Sequence, residues 1–227
     1  MKLPLDDAKV ALESIIPYLQ KNVFHGIDNW AVVGGFVRDS IISNVSRGKI
    51  SSPDIDVAII GHLPTLVINK EILDISLNTF GGMKINTRRY GIVDIWKIKG
   101  SKNVDPNTQW TRYLNEIDFS INSALYAIPE HKFYIHKEFS KALIDKKVSR
   151  LSSKSPKKHL QNIRAFALAQ GLSLKTGDTY DVSDPLLREL NKISKLKKRK
   201  ALKYANKKVF EKRWPASVVS KLTSIMN

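Results

Sequence analysis

Residues 30–60, WAVVGGFVRDSIISNVSRGKISSPDIDVAII, hold the pattern on which the reading of this chain turns. Trp30 to Val33 form a short apolar run that reads as a buried strand. Gly34 and Gly35 follow at once, and 36–45 read as a short helix opening after them. A polar loop containing Gly, Ser and Pro leads to a second strand at 55–60. A strand followed by glycines and a helix start exposes backbone N–H groups where the helix dipole favours anions. Without Cβ atoms at the glycines, phosphate oxygens approach closely. Arg38, one turn along, supplies a charge-assisted donor for the same phosphates. Tight helix–sheet packing, with Arg38 paired to Asp39 or to solvent, explains these residues by themselves equally well.

The second strand adds a different chemistry. Residues i and i+2 of a strand project to one face, so Asp54 and Asp56 sit side by side. Two parallel carboxylates repel unless a cation lies between them, and oxygen-only ligation suits Mg²⁺. Asp-x-Asp alone is a weak motif, and a turn-capping aspartate beside an accidental neighbour accounts for it too. Asp94 strengthens the case. It lies within GMKINTRRYGIVDIWKI (82–98), which reads as two strands joined at Tyr90-Gly91. Alternation there puts Val93 and Ile95 on one face and Asp94 and Trp96 on the other. A third carboxylate from an adjacent strand would complete a two-metal site of the kind that clamps attacking and leaving oxygens in phosphoryl transfer. An outward-facing residue on a half-exposed sheet is the other reading of Asp94.

The charge distribution points to a polyanionic partner. The 227 residues carry a net charge of +17. Residues 141–227 hold 22 Lys and Arg against 6 Asp and Glu, whereas the first 140 hold 16 against 15. A near-neutral body joined to so basic a segment fits binding to phosphate backbones. The stretch KISKLKKRKALKYANKKVFEKRW (192–214) lacks a strong apolar face, which places nucleic acid ahead of an anionic membrane. No apolar run reaches the roughly 20 residues of a membrane span. The N-terminus lacks an apolar block with a cleavage site, and cysteine is absent, which excludes disulfides and thiolate zinc sites; a cytoplasmic protein is expected.

Elsewhere, 5–21 reads as a helix that Pro17 kinks or ends, and HKFYIH (131–136) with 142–144 as a hairpin. Beyond residue 150 the pattern turns helical, best at 157–170 and 185–210. The five histidines show no clustered ligand spacing.

These stretches keep an order known from one family. VGGFVRD (33–39) followed by DIDVAI (54–59) resembles the head of class II CCA-adding enzymes and bacterial poly(A) polymerases, in the polymerase-β nucleotidyltransferase superfamily. RRYGIVDIW (88–96) resembles the strand pair bearing that family's third carboxylate. IDFSINSALYAI (117–128) resembles its Arg-Arg-Asp-Phe-Thr-Ile-Asn-Ala-Leu motif, and LQNIRAFALAQGL (160–172) its neck helix. The resemblance implies an α+β fold: a mixed-sheet, polymerase-β-like nucleotidyltransferase palm over 1–145, then a small basic helical, neck-like RNA-binding domain over 146–227. It implies two Mg²⁺ ions on Asp54, Asp56 and Asp94 as catalytic metal ligands. It also implies nucleotide contacts from Gly34, Gly35, Arg38, Asp118, Asn122 and Arg164. Asp118 as an N-cap and Asn122 as a helix-face residue are the plainer alternatives.

The chain departs from the family in two places. Glu116-Ile117 stand where the family has Arg-Arg, and Lys158 and Gln161 stand where the neck helix carries its base-pairing Asp and first Arg. A lysine cannot accept amino protons from cytosine as a carboxylate does, so CCA-type base selection is not expected. The expected activity is template-independent transfer of a nucleoside monophosphate from an NTP to the 3′ end of tRNA or another structured RNA. Lys197, Lys198, Arg199 and Lys200 are expected to bind its phosphates, and no membrane partner is expected. Transfer to a protein or small-molecule hydroxyl, and a catalytically silent RNA-binding relative, are the rival readings.

Overall fold

The computed structural model describes residues 3, 5–46, 54–78, 81–98, 104–152, 158–211, 214 and 216–226. The chain divides into two compact units, one of residues 1–115 and 122–136, the other of 116–121 and 137–227. The loop expected at 46–53 lies almost wholly outside the described residues.

The first unit opens with α1 (Leu5–Asn22), β1 (Phe24–His25), β2 (Asn29–Val33), α2 (Gly34–Ser46), β3 (Asp54–Ile60) and β4 (Thr65–Leu66). It continues with β5 (Ile72–Leu77), β6 (Met83–Thr87), β7 (Gly91–Lys97), α3 (Pro106–Glu116), β8 (Ala124–Ala127) and β9 (Lys132–Ile135). Seven of these strands make one mixed sheet in the order β5-β6-β7-β3-β2-β8-β9. Only the central β3–β7 pair is parallel; the other neighbours are antiparallel. Alternation fixes how β3 and β7 sit. Ile55, Val57, Val93 and Ile95 are fully buried, whereas Asp54, Asp56 and Asp94 stay partly accessible on the opposite face. β2 is apolar almost throughout, and its Trp30 to Val33 are all buried.

Three expectations change in the structure. Pro17 does not end α1, which runs on to Asn22 with Leu12, Ile15, Ile16 and Leu19 buried on both sides of it. Burial of that stripe outweighs the lost backbone hydrogen bond, a cost of about 3 kcal/mol. Residues 132–135 pair with β8, not with 142–144. The β8–β9 turn is closed by His131 in the left-handed region (φ 48°). Phe139, Ala142 and Leu143 are buried at helical spacing within α4 (Lys137–Asp145), which opens the second unit's long segment.

That unit continues with β10 (Lys147–Val148), α5 (Lys158–Thr176), β11 (Asp181–Val182), α6 (Asp184–Asn191), α7 (Lys195–Phe210) and α8 (Ser217–Met226). The helix expected over 185–210 is therefore two, broken at 192–194, where Ser194 takes an extended conformation ahead of α7. Among its described side chains α7 buries only Ala201 and Ala205 completely; Lys197, Arg199, Lys200, Lys203 and Lys207 are exposed and Lys198 is partly so. Trp214 packs edge-on against Tyr204, with ring centroids 5.4 Å apart. Among the described residues no helix is long and apolar enough to cross a membrane.

Candidate active site

The parallel pairing of β3 and β7 sets Asp56 directly beside Asp94, and Asp54 lies two residues earlier on the same face. The carboxylates singled out from sequence are thus brought to one patch of one sheet. Their mutual effect is visible at Asp56, whose carboxyl is pushed up to about 7. Burial is the largest cause, followed by the charges of Asp94 and Asp54; the Gly35 N–H and the Arg38 charge act the other way.

The glycine pair belongs to the same patch. β2 and β3 are antiparallel with Val33 opposite Asp56, so the residues that follow Val33 meet the Asp56 side chain. Gly34 has φ +70°, and a Cβ there would lie 2.5 Å from Asp56 Oδ2. Glycine is required twice over, for its conformation and for the space. One of the first backbone N–H groups of α2, that of Gly35, therefore serves Asp56 itself.

Arg38 is only 7% exposed. Its Nε donates to Asp39 Oδ1 at 2.6 Å and its Nη1 donates to Asn122 Oδ1 at 2.8 Å. Two residues expected to face the nucleotide, Arg38 and Asn122, are thereby joined 84 positions apart in sequence. The Asp39 pairing weighed from sequence is also present.

Asp118 and Arg164 lie in the second unit, where Arg164 Nη1 stands 3.7 Å from Asp118 Oδ2 and the guanidinium lies 5.9 Å from the Phe119 ring centroid. Gln161 Nε2 donates to Asp118 Oδ1 at 2.7 Å. Gln161 is 6% exposed, and its Oε1 is buried with no hydrogen-bond partner among the described residues. The carboxylate accepts only, so the amide orientation is chemically fixed. The same unit carries a polar cluster in which Arg150 donates to the buried Asn162 and, through two nitrogens, to the exposed Glu189.

One residue with a place in the site escapes a reading of the sequence. Asn78, just after β5, donates through Nδ2 to Asp94 Oδ1 at 2.6 Å. The NTFGG stretch (78–82) carries a turn signal, an asparagine ahead of two glycines, but nothing in it points at Asp94.

Among the described residues no three His, Cys, Asp or Glu side chains stand close enough to enclose a cation by themselves. Asp94 is engaged by Asn78. The donor set still fits a hard divalent ion. It offers three carboxylates on one face, and the ionised form of the central one is opposed by burial and by both neighbours.

A central mixed sheet, a helix opening on glycines against one of its strands, and carboxylates abreast on two others define a class: the chain has the nucleotidyltransferase fold of CCA-adding enzymes. Among solved structures it resembles the complex of a CCA-adding enzyme with ATP (TM-score 0.57, 16% identity, 98% of this chain and 51% of that one). It also resembles a complex of a CCA-adding enzyme with CTP (TM-score 0.53, 16% identity, 99% and 51%). The Thermotoga maritima CCA-adding enzyme complexed with tRNA is a third (TM-score 0.51, 16% identity, 87% and 46%). The chain spans about half the length of these structures, and at this identity the likeness is one of fold. No protein-family model and no curated protein matches the sequence.

Proposed function

We propose that the chain is a template-independent nucleotidyltransferase that moves a nucleoside monophosphate from an NTP to the 3′ hydroxyl of an RNA. The observation that carries this reading is the triad of same-face carboxylates, with Asp56 and Asp94 abreast on parallel neighbours and Gly34 pressed on Asp56. Asp54, Asp56 and Asp94 would hold two Mg²⁺, which when bound supply charge stabilisation to the transferring phosphoryl group and an activated attacking oxygen. Mg²⁺ retains waters and takes oxygens from substrate phosphates, so a few carboxylates that do not close a cage are an apt partial shell.

Burial of Asp56 keeps its charge poorly solvated and in need of a cation. Gly34 leaves room for that carboxylate, and Gly35 holds it through a backbone N–H. Arg38, oriented by Asp39 and Asn122, places a positive field beside the carboxylates, where a triphosphate would arrive. In the helical unit, Asp118 and Arg164 offer an acceptor and a planar donor to the nucleotide, and Gln161 sets the Asp118 rotamer. The palm at 1–145 thus performs the transfer. The basic helices of 146–227 bind RNA phosphates, with Lys197, Lys198, Arg199 and Lys200 near the start of α7 among the contacts. The solved structures whose fold it shares include complexes with CTP, ATP and tRNA, which supports NTP and RNA as partners.

The test is incubation with Mg²⁺, each labelled NTP in turn, and total RNA. Label should enter RNA, and Asp56→Ala should abolish it. Failure of all four NTPs, with Asp56→Ala indistinguishable from the unaltered protein, rejects the proposal. A second acceptor class is favoured by Gln161, which stands where the resembled neck helix carries its base-pairing Arg and donates to Asp118. Label entering a protein or small-molecule pool instead of RNA would select it.

A further inference from the structure

We infer that Asn78 is a positioning residue for Asp94, fixing the carboxylate so that its second oxygen is presented to a divalent cation. The inference rests on the metal reading proposed above and deepens it.

Asn78 has little freedom. Its Oδ1 accepts the Gly82 N–H at 2.8 Å, and its Nδ2 donates to both Asp94 Oδ1 at 2.6 Å and the Ile95 carbonyl at 3.2 Å. Because Oδ1 takes a backbone N–H and Nδ2 faces two acceptors, the amide can adopt only this orientation. The backbone repeats the constraint: Asn78 N–H donates to Gly82 O, and Gly81 N–H donates to Asn78 O. Gly82 cannot be replaced cheaply, since a Cβ there would fall 2.0 Å from Ile95 O. Asn78 thus ties Gly81 and Gly82 to the β7 strand immediately after Asp94 and is the pin.

The consequence at Asp94 is chemical. A short, charge-assisted bond occupies Oδ1. Oδ2 accepts no hydrogen bond from the described residues, which leaves one oxygen committed and one available. A carboxylate so held offers a cation a single oriented ligand in place of a rotating pair. Partners that orient a metal ligand in this way are worth about 10–100-fold in metal affinity. Turn-building alone would need only the Gly82 and Ile95 contacts; the third bond, the shortest of the three, goes to the Asp94 carboxylate.

The experiment measures Mn²⁺ binding to the full chain by electron paramagnetic resonance, without nucleotide, in a double-mutant cycle. Asn78→Ala should raise the Mn²⁺ Kd about tenfold, and Asp94→Asn by at least as much. The double variant should bind no more weakly than Asp94→Asn alone, because the pin acts only through Asp94. Asn78→Ser reports the same cycle if the alanine variant does not fold. Unchanged affinity in the Asn78 variants, or a loss that adds in full to that of Asp94→Asn, overturns the inference while Asp56→Asn still abolishes Mn²⁺ binding. An unaltered protein that binds no Mn²⁺ overturns the metal reading and this inference together.

Discussion

Replacing Asp56 by asparagine should stabilise the protein while abolishing the proposed nucleotide transfer. In the unfolded chain the Asp56 carboxyl ionises near 3.8, and in the fold near 7. Between those values the folded state binds more protons than the unfolded state, so stability falls as pH rises, and the full penalty is in force above about pH 7. A gap of that width corresponds to roughly 4 kcal/mol at 1.36 kcal/mol per pH unit. The side chain keeps some contact with water, and we take half, ~2 kcal/mol. Asparagine has similar size, keeps an acceptor for the Gly35 N–H, and carries no charge against Asp54 and Asp94. For a unit of about 130 residues, ~2 kcal/mol corresponds to a rise in Tm of about 7 °C. Thermal denaturation at pH 8 and at pH 4, without divalent ions, is the assay. The variant should melt higher at pH 8, the gap should close near pH 4, and nucleotide transfer should vanish. An Asp56→Asn protein that melts with or below the unaltered chain at pH 8 would refute the picture of a repelled, poorly solvated carboxylate. Added Mg²⁺ should raise the Tm of the unaltered protein and leave the variant where it is.

Other outcomes follow from the same geometry. Gly34→Ala combines strain at φ +70° with a Cβ 2.5 Å from Asp56 Oδ2, and should lower transfer at least 100-fold with the secondary structure intact by circular dichroism. Replacing Lys197, Lys198, Arg199 and Lys200 together by alanine should weaken RNA binding and flatten the slope of log K against log salt by about 3, read by fluorescence anisotropy across a salt series. Arg150→Ala leaves Asn162, 1% exposed, without its donor and should cost about 1–2 kcal/mol in urea unfolding, with little change in metal binding.

Much of the site was legible along the chain. Asp54, Asp56 and Asp94 alternate with apolar residues, and that alternation alone tells which side of a strand each occupies. The glycine pair after an apolar strand marks a helix start, and α2 does open at Gly34. The charge excess beyond residue 140 is a count. Less legible were elements whose identity depends on a remote partner. HKFYIH needed β8 to become a strand, and 142–144 had apolar spacing that suits a helix as well as a strand. The break at 192–194 follows no glycine or proline, and Pro17 sits inside a helix that burial sustains.

From residue order come the identity of the chemical groups, their alternation, and the separation of a near-neutral body from a basic segment, because periodicity and charge are properties of neighbours in the chain. Register is a relation between strands, and it alone set Asp56 beside Asp94 and Gly34 against Asp56. Folding likewise gave Arg38 to Asn122, Gln161 to Asp118 and Asn78 to Asp94, pairs 84, 43 and 16 positions apart. A side-chain hydrogen bond acts over about 3 Å, and no linear pattern encodes which distant residue will stand within that reach.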